Sequence, residues 1–391
     1  MYYVVNTSAL LVDGVIDPAQ EKEIKDRSRQ AMVTLCVNTM LIAGIVAATF
    51  GLVFYLADAL SVAICGGLFV GAGLLILRYG AQLYRMFGNA SALIGAGMLI
   101  SGSAIELMDK VPNHAGAVMI AMGAIIAGFS LWRYLHGLSH LRFAYGCVLL
   151  MGAALHVLGA YDFADAYWGA GLVYPGLHFY AFAVIAACGV LLDVRLITAL
   201  AIIPFAQVLD TGTGYFHAVY VYYSPESTLT IVQMTVLIGL CIWVATRSQR
   251  LYRQAGILAI MAFIVANLSF LVGSLWGDTI GDTWFGPRYS DFQTDYNSYY
   301  DAHDAYYATA FTINEHVYSI VWAVILAVQI TWAALTNRRG LFNAGMTFAG
   351  IHAYTQMFET FYDEPLAYVI GGFAAIPMAF GLWRLNNQWF K

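Results

Sequence analysis

The run ALSVAICGGLFVGAGLLIL, Ala59–Leu77, decides the fold class: nineteen uncharged residues stand between Asp58 and Arg78. At 1.5 Å per residue, a helix of that length reaches about 28 Å, close to the roughly 30 Å hydrocarbon core of a bilayer. Eleven comparable runs are read along the chain. They are Ala31–Ala57, Gly88–Met108, Ala115–Trp132, Phe143–Ala160, Pro175–Leu192, Leu196–Tyr223, Thr228–Thr246, Gly256–Trp276, His316–Leu335, Leu341–Tyr362 and Leu366–Leu385. The 391 residues are 61% hydrophobic and only 10% charged, whereas soluble domains sit nearer a quarter charged. The expectation is an all-α, polytopic bundle of about twelve spans, with no hydrophilic block large enough for a separate soluble domain.

Charge gives the orientation. With the N-terminus in the cytoplasm, sixteen of the eighteen Lys and Arg residues fall inside, and only Lys110 and Arg288 fall outside. That bias predicts both termini in the cytoplasm of a bacterial-type inner membrane. No basic, then apolar, signal segment opens the chain. Instead Asp17-Pro18-Ala19-Gln20 reads as a capping box starting a short charged surface helix, which ends near Gln30. Residues 1–30 therefore form a cytoplasmic surface segment, and 31–391 the transmembrane domain. The longest loop, Gly277–Glu315, is rich in Tyr and Asp (DYNSYYDAHDAYY, 295–307) and is read either as a solvated outer loop or as a lid or weak cation site.

Two polar stripes mark the candidate site. His352, Gln356, Glu359 and Asp363 recur at four, three and four residues, which places them on one helix face. Gln207, Asp210, Gly214 and His217 follow the same arithmetic. Polar groups in lipid are costly and should face a bundle interior or a wet cavity, so an outward-facing polar cavity is expected, with Glu315 and His316 at its mouth. Asp210 has no Lys or Arg on any span at its depth, so it is read either as a proton-exchanging acid or as a structural one bonded to Gln207, Thr211 or Tyr215. Pro204 and Gly212–Gly214 make Leu196–Tyr223 either a proline-kinked helix or a broken one. Small-residue ladders (Gly66, Gly67, Gly71, Gly73; Gly95, Gly97, Gly102) read as close helix packing.

Histidines 156, 178, 217, 316 and 352 map to the outer half, where they are read as ordinary buried rings with local partners or, if they converge, as a set that relays protons, ligates a metal or holds a haem. His136 and His140 have metal-like spacing without an accompanying carboxylate or thiolate. The five cysteines are scattered singly. Nucleotide, protease, hydrolase and nucleic-acid signatures are absent. Metal and cofactor identity stay unknown from these residues.

LLVDGVIDPAQEKEI (10–24) and TFYDEPLAYVIGGFAAI (360–376) resemble the two ends of the DUF2157 family of bacterial membrane proteins. That resemblance implies a polytopic inner-membrane fold and no established activity. It fails where that family commonly has a Trp after its first span. The leading function is binding or transport of a small polar or cationic ligand, coupled to protons through Asp210. The alternatives are an accessory subunit packed against membrane-protein partners, and a metal- or haem-assisted enzyme acting on a lipid-linked substrate.

Overall fold

The computed structural model describes residues 7–56, 58–81, 84–137, 141–167, 173–211, 224–288, 292, 295–361 and 364–389. Among them, nine helices are long and apolar enough to cross a membrane. The chain divides into two compact units, Met1–Ala170 and Gly171–Lys391.

The first unit contains α1 (Thr7–Val12), α2 (Pro18–Leu56), α3 (Ala59–Tyr79), α4 (Arg85–Lys110), α5 (Pro112–His136) and α6 (Arg142–Tyr167). The capping box forms as its spacing requires: Asp17 N–H donates to Gln20 Oε1 at 3.0 Å, and Gln20 N–H to Asp17 Oδ1 at 2.8 Å. The surface helix does not stop at Gln30. It continues into the first apolar run as one helix of 39 residues, because no Gly or Pro lies between Ala19 and Ala43 to break it.

Of the small-residue ladders, Gly66, Gly73, Gly95 and Gly102 are contact surfaces, whereas Gly67 and Gly71 face open space and Gly97 meets only Met151 Cε at 3.8 Å. Gly66 and Gly73 on α3 meet Gly95 and Gly88 on α4, and Gly102 meets the backbone at Ala59 and Ala63. Gly116 and Gly123 on α5 meet Gly159 and Gly152 on α6 in the same way. The repeat of seven in each helix keeps the glycines on one face over several turns. A Cβ on Gly95 would stand 2.6 Å from Gly66 O and Val70 N, so backbone packs directly on backbone. In lipid, where apolar burial drives little association, such contact supplies the dispersion energy that joins helices. His156 is used locally, its Nδ1 bonding the Ile120 carbonyl at 2.8 Å.

The second unit begins with α7 (Val173–Leu192), α8 (Arg195–Leu200) and α9 (Ile202–Ala206), followed by α10 (Ser227–Arg247) and α11 (Tyr252–Trp276). Next come β1 (Asp278–Thr279), α12 (Asp282–Phe285), α13 (Tyr296–Tyr307) and β2 (Thr312–Ile313). The unit closes with α14 (Glu315–Leu335), α15 (Arg339–Thr360) and α16 (Pro365–Trp389). One buried cluster joins Ala201, Ile202, Met234, Leu237, Ala262 and Val265, where α8 and α9 pack on α10 and α11. A second joins Phe270, Tyr318, Trp322, Leu326 and Phe348 across α11, α14 and α15.

The described part of Leu196–Tyr223 is broken. Pro204 has no N–H for the Leu200 carbonyl, α8 stops there, and α9 ends at Ala206. Gln207, Val208 and Leu209 then turn, and Asp210 adopts a left-handed φ of 60°. The helical stripe expected from Gln207 through Asp210 is therefore not on a helix. Gly214 and His217 lie outside the described residues.

The described residues between Gly277 and Asn314 are folded. β1 and β2 pair antiparallel, Asp278 opposite Ile313 and Thr279 opposite Thr312, and close a folded cap that contains α12 and α13. Gly277, at φ 69°, makes the entry turn where a Cβ would meet Ile313 O at 2.7 Å. Asp295 caps α13, accepting from the N–H groups of Asn297 and Ser298.

Candidate ligand-binding cleft

The cap is held by two buried carboxylates that sequence position alone places only among the outer-face acids. Glu226, just before α10, accepts the Gly281 N–H on Oε1 at 2.9 Å and the Thr283 N–H on Oε2 at 3.0 Å. Asp278 Oδ2 accepts the Thr228 N–H at 2.7 Å, the Tyr318 hydroxyl at 2.9 Å and the Thr228 hydroxyl. Charge-assisted bonds of this kind are about twice as strong as neutral ones. They tie the cap to the starts of α10 and α14. The sequence shows only an acid just before α10 and another just after α11; the backbone donors come from the turn at Gly281, whose φ is 86°.

Beyond these anchors lies a cleft of about 270 Å³, lined by Asp210, Thr211, Pro225, Asp282, Thr283, Gly286, Pro287, Arg288, Tyr299, His303 and Tyr307. Arg288 Nη2 donates to Asp210 Oδ2 at 2.8 Å and to Thr283 O at 3.1 Å. Asp210 therefore does have a cation, contrary to the expectation drawn from the spans. Its partner comes from the cap, 78 residues along the chain. Trp284 Nε1 donates to Leu209 O at 3.0 Å and braces the same turn from its other side.

Tyr299, His303 and Tyr307 stand four residues apart on one face of α13 and form the aromatic wall. The His303 ring centroid lies 5.8 Å from Tyr299 and 4.3 Å from Tyr307. Burial pushes the Tyr307 phenol above its ordinary value, and a hydrogen bond with Asp282 pushes it further in the same direction. The floor and walls thus offer two carboxylates, one guanidinium, two phenols and an imidazole. Such a lining can orient a small polar molecule by hydrogen bonds and receive a cation over aromatic faces.

The other expected site residues divide differently. Gln207 closes α9, its N–H donating to Pro204 O at 3.1 Å. Glu315 opens α14; His316 beside it is 81% exposed, its Nε2 3.9 Å from the Glu315 carboxylate, and neither lines the cleft. His352 and Gln356 share a face of α15, packed toward α14, with the His352 ring edge-on to Trp322 at 4.8 Å. Glu359 is exposed, and Asp363 lies outside the described residues. Among the described residues no three His, Cys, Asp or Glu side chains gather as a metal would require. His140 and His217 lie outside them.

No known protein family, curated protein or solved structure matches the chain.

Proposed function

We propose that this multi-pass membrane protein binds a small polar or cationic ligand in the cleft beneath its outer cap, as the entry step of transport. The observation that carries this reading is the cleft itself: carboxylates, a guanidinium and a tyrosine–histidine wall gathered at the turn where the short apolar helices α8 and α9 end. An interrupted helix frees backbone groups and polar side chains to meet a solute while its neighbours satisfy the rest of the backbone. The distribution of Lys and Arg supports about twelve spans with both termini cytoplasmic, which puts the cap on the outer side. The likeness of the two ends to DUF2157 fits this architecture and names no chemistry.

The test is ligand-dependent thermal stabilisation in lipid nanodiscs, over a panel of primary and quaternary amines, amino acids, sugars and carboxylates. A ligand at a hundred times its Kd stabilises by about 2.7 kcal/mol, a readable rise in Tm. The expected result is a shift with a cationic or zwitterionic member that Arg288→Gln and Asp282→Asn both abolish. A panel without any shift, or a shift indifferent to both substitutions, refutes the reading.

A further inference from the structure

Away from the cleft, the packing of α14 on α15 leaves four polar atoms enclosed and without a hydrogen-bond partner among the described residues: Gln329 Oε1, nearer the connecting turn, and, further from it, Ser319 Oγ, His352 Nδ1 and Gln356 Nε2. Buried polar atoms are almost always bonded, to protein or to ordered water, so the latter three, on one facing surface, need a common explanation. Their placement follows from the contact between Trp322 and His352. The two helices are joined by the short turn at Thr336–Arg338 and run antiparallel. One helical turn beyond that contact, on the side away from the connection, α14 presents Ser319, at i−3 from Trp322, and α15 presents Gln356, at i+4 from His352.

Ser319 adds an independent sign. Many helical hydroxyls in this protein turn back onto their own helix, as Thr331 does to Ala327 O, Thr347 to Asn343 O and Ser269 to Val265 O, and others reach a neighbouring helix, as Ser91 does to Phe69 O and Thr198 to Gln254 Oε1. Ser319 is only 8% exposed, yet makes no such bond. The Trp322 indole cannot serve His352 either, because its Nε1–H donates to Asn267 Oδ1 at 2.9 Å.

We propose that His352 is a proton-holding site inside this helix bundle, and that Ser319 and Gln356 seat the water molecule that exchanges its proton. In the Nε2–H tautomer Nδ1 offers a lone pair. The seated water, when protonated, gives one proton to Nδ1, leaving neutral water and an imidazolium; the reverse step restores both. The Gln356 amide donates to the water oxygen, and the Ser319 hydroxyl donates or accepts as the water turns. No ion pair of His352 occurs among the described residues. On its own helix Glu359 stands two turns further from the connection and is exposed. On α14 Tyr318 is engaged with Asp278 and Thr228, and α11 contributes the neutral Asn267. No histidine or charged residue occurs on α16 before Arg384.

Imidazole-¹⁵N-labelled protein in nanodiscs, followed by solid-state NMR from pH 5 to 9 without any ligand, tests this. The expected spectrum converts from imidazolium to the neutral Nε2–H form at the His352 resonances, assigned by their loss in His352→Phe. Ser319→Ala and Gln356→Leu each shift that midpoint or the tautomer ratio at least threefold. A ring that keeps one form throughout the range overturns the proposal, as does a titration indifferent to both substitutions. Should Gln356→Leu not fold, Gln356→Glu replaces it, and an unchanged midpoint beside the new carboxylate overturns the proposal equally. The experiment uses no solute, so its failure leaves the cleft reading standing, and the converse holds.

Discussion

Replacing Glu226 by Gln should loosen the cap while leaving the helices in place. Glu226 is 4% exposed and binds two backbone N–H groups of the cap, one on each oxygen. The amide keeps one oxygen acceptor and presents an NH₂ to the other N–H. One charge-assisted bond becomes neutral, and one donor is left facing another donor. Charge-assisted bonds contribute about 1.5–3 kcal/mol and an orphaned buried donor costs about 1–3 kcal/mol, so a net loss of roughly 3 kcal/mol is expected. At about 1.4 kcal/mol per decade that is about a hundredfold in the opening equilibrium of the cap. Hydrogen exchange read by mass spectrometry, on peptides covering Asp278–Arg288, should show protection falling by about that factor. Peptides from α5 and α6 should be unchanged and serve as the internal control. A change in the cap below threefold, or an equal loss of protection in α5 and α6, would refute the assignment of Glu226 as the anchor.

Three further outcomes follow from other contacts. Gly95→Leu forces a side chain into the Gly66 and Val70 backbone and should abolish monodisperse protein on size exclusion, whereas Gly67→Leu, which meets nothing within 4 Å, should be tolerated. Because the Tyr307 phenol is held neutral above its ordinary value, the folded cap binds a proton that the unfolded chain releases above about pH 10. Stability should therefore fall as pH rises past about 10, and Tyr307→Phe should remove that component from a Tm–pH series. Asp295 behaves with the opposite sign, its carboxyl lowered first by the Ser298 hydroxyl and then by the Ser298 N–H. Its stabilisation of α13 is complete above about pH 4 and is lost as pH falls through the lower folded value. Acid-protease nicking within 295–300, relative to Asp295→Ala at the same pH, should rise between about pH 4 and pH 2.

What can be read from sequence follows the range of the forces involved. Apolar run length decides a membrane helix locally, and nine of the twelve runs chosen that way carry a span-length apolar helix among the described residues. Asp17 and Gln20 also find each other within one turn, and the glycine ladders match across hairpins because both partners repeat every seven residues. Asp210 is legible as a buried-helix acid only if its helix continues. Pro204 and the turn after Ala206 remove that premise, and Arg288, far along the chain, supplies the charge. The Tyr/Asp-rich segment gives no hint of its closure, since a two-residue strand pair carries too little pattern to detect, and Glu226 looks like any other loop acid.

The strand pair has a consequence for how this protein can change. It fixes Asp278 and Ile313 to paired backbone positions, about 5 Å apart across the ribbon. Everything between them enters and leaves through one narrow neck, so the segment is a cassette. It can be lengthened, exchanged or cut down to a tight hairpin without altering the register of the two helices that carry it. Change in the insert would thus alter one wall of the cleft, while Asp210, Thr211 and Pro225 on the other stay with the membrane unit.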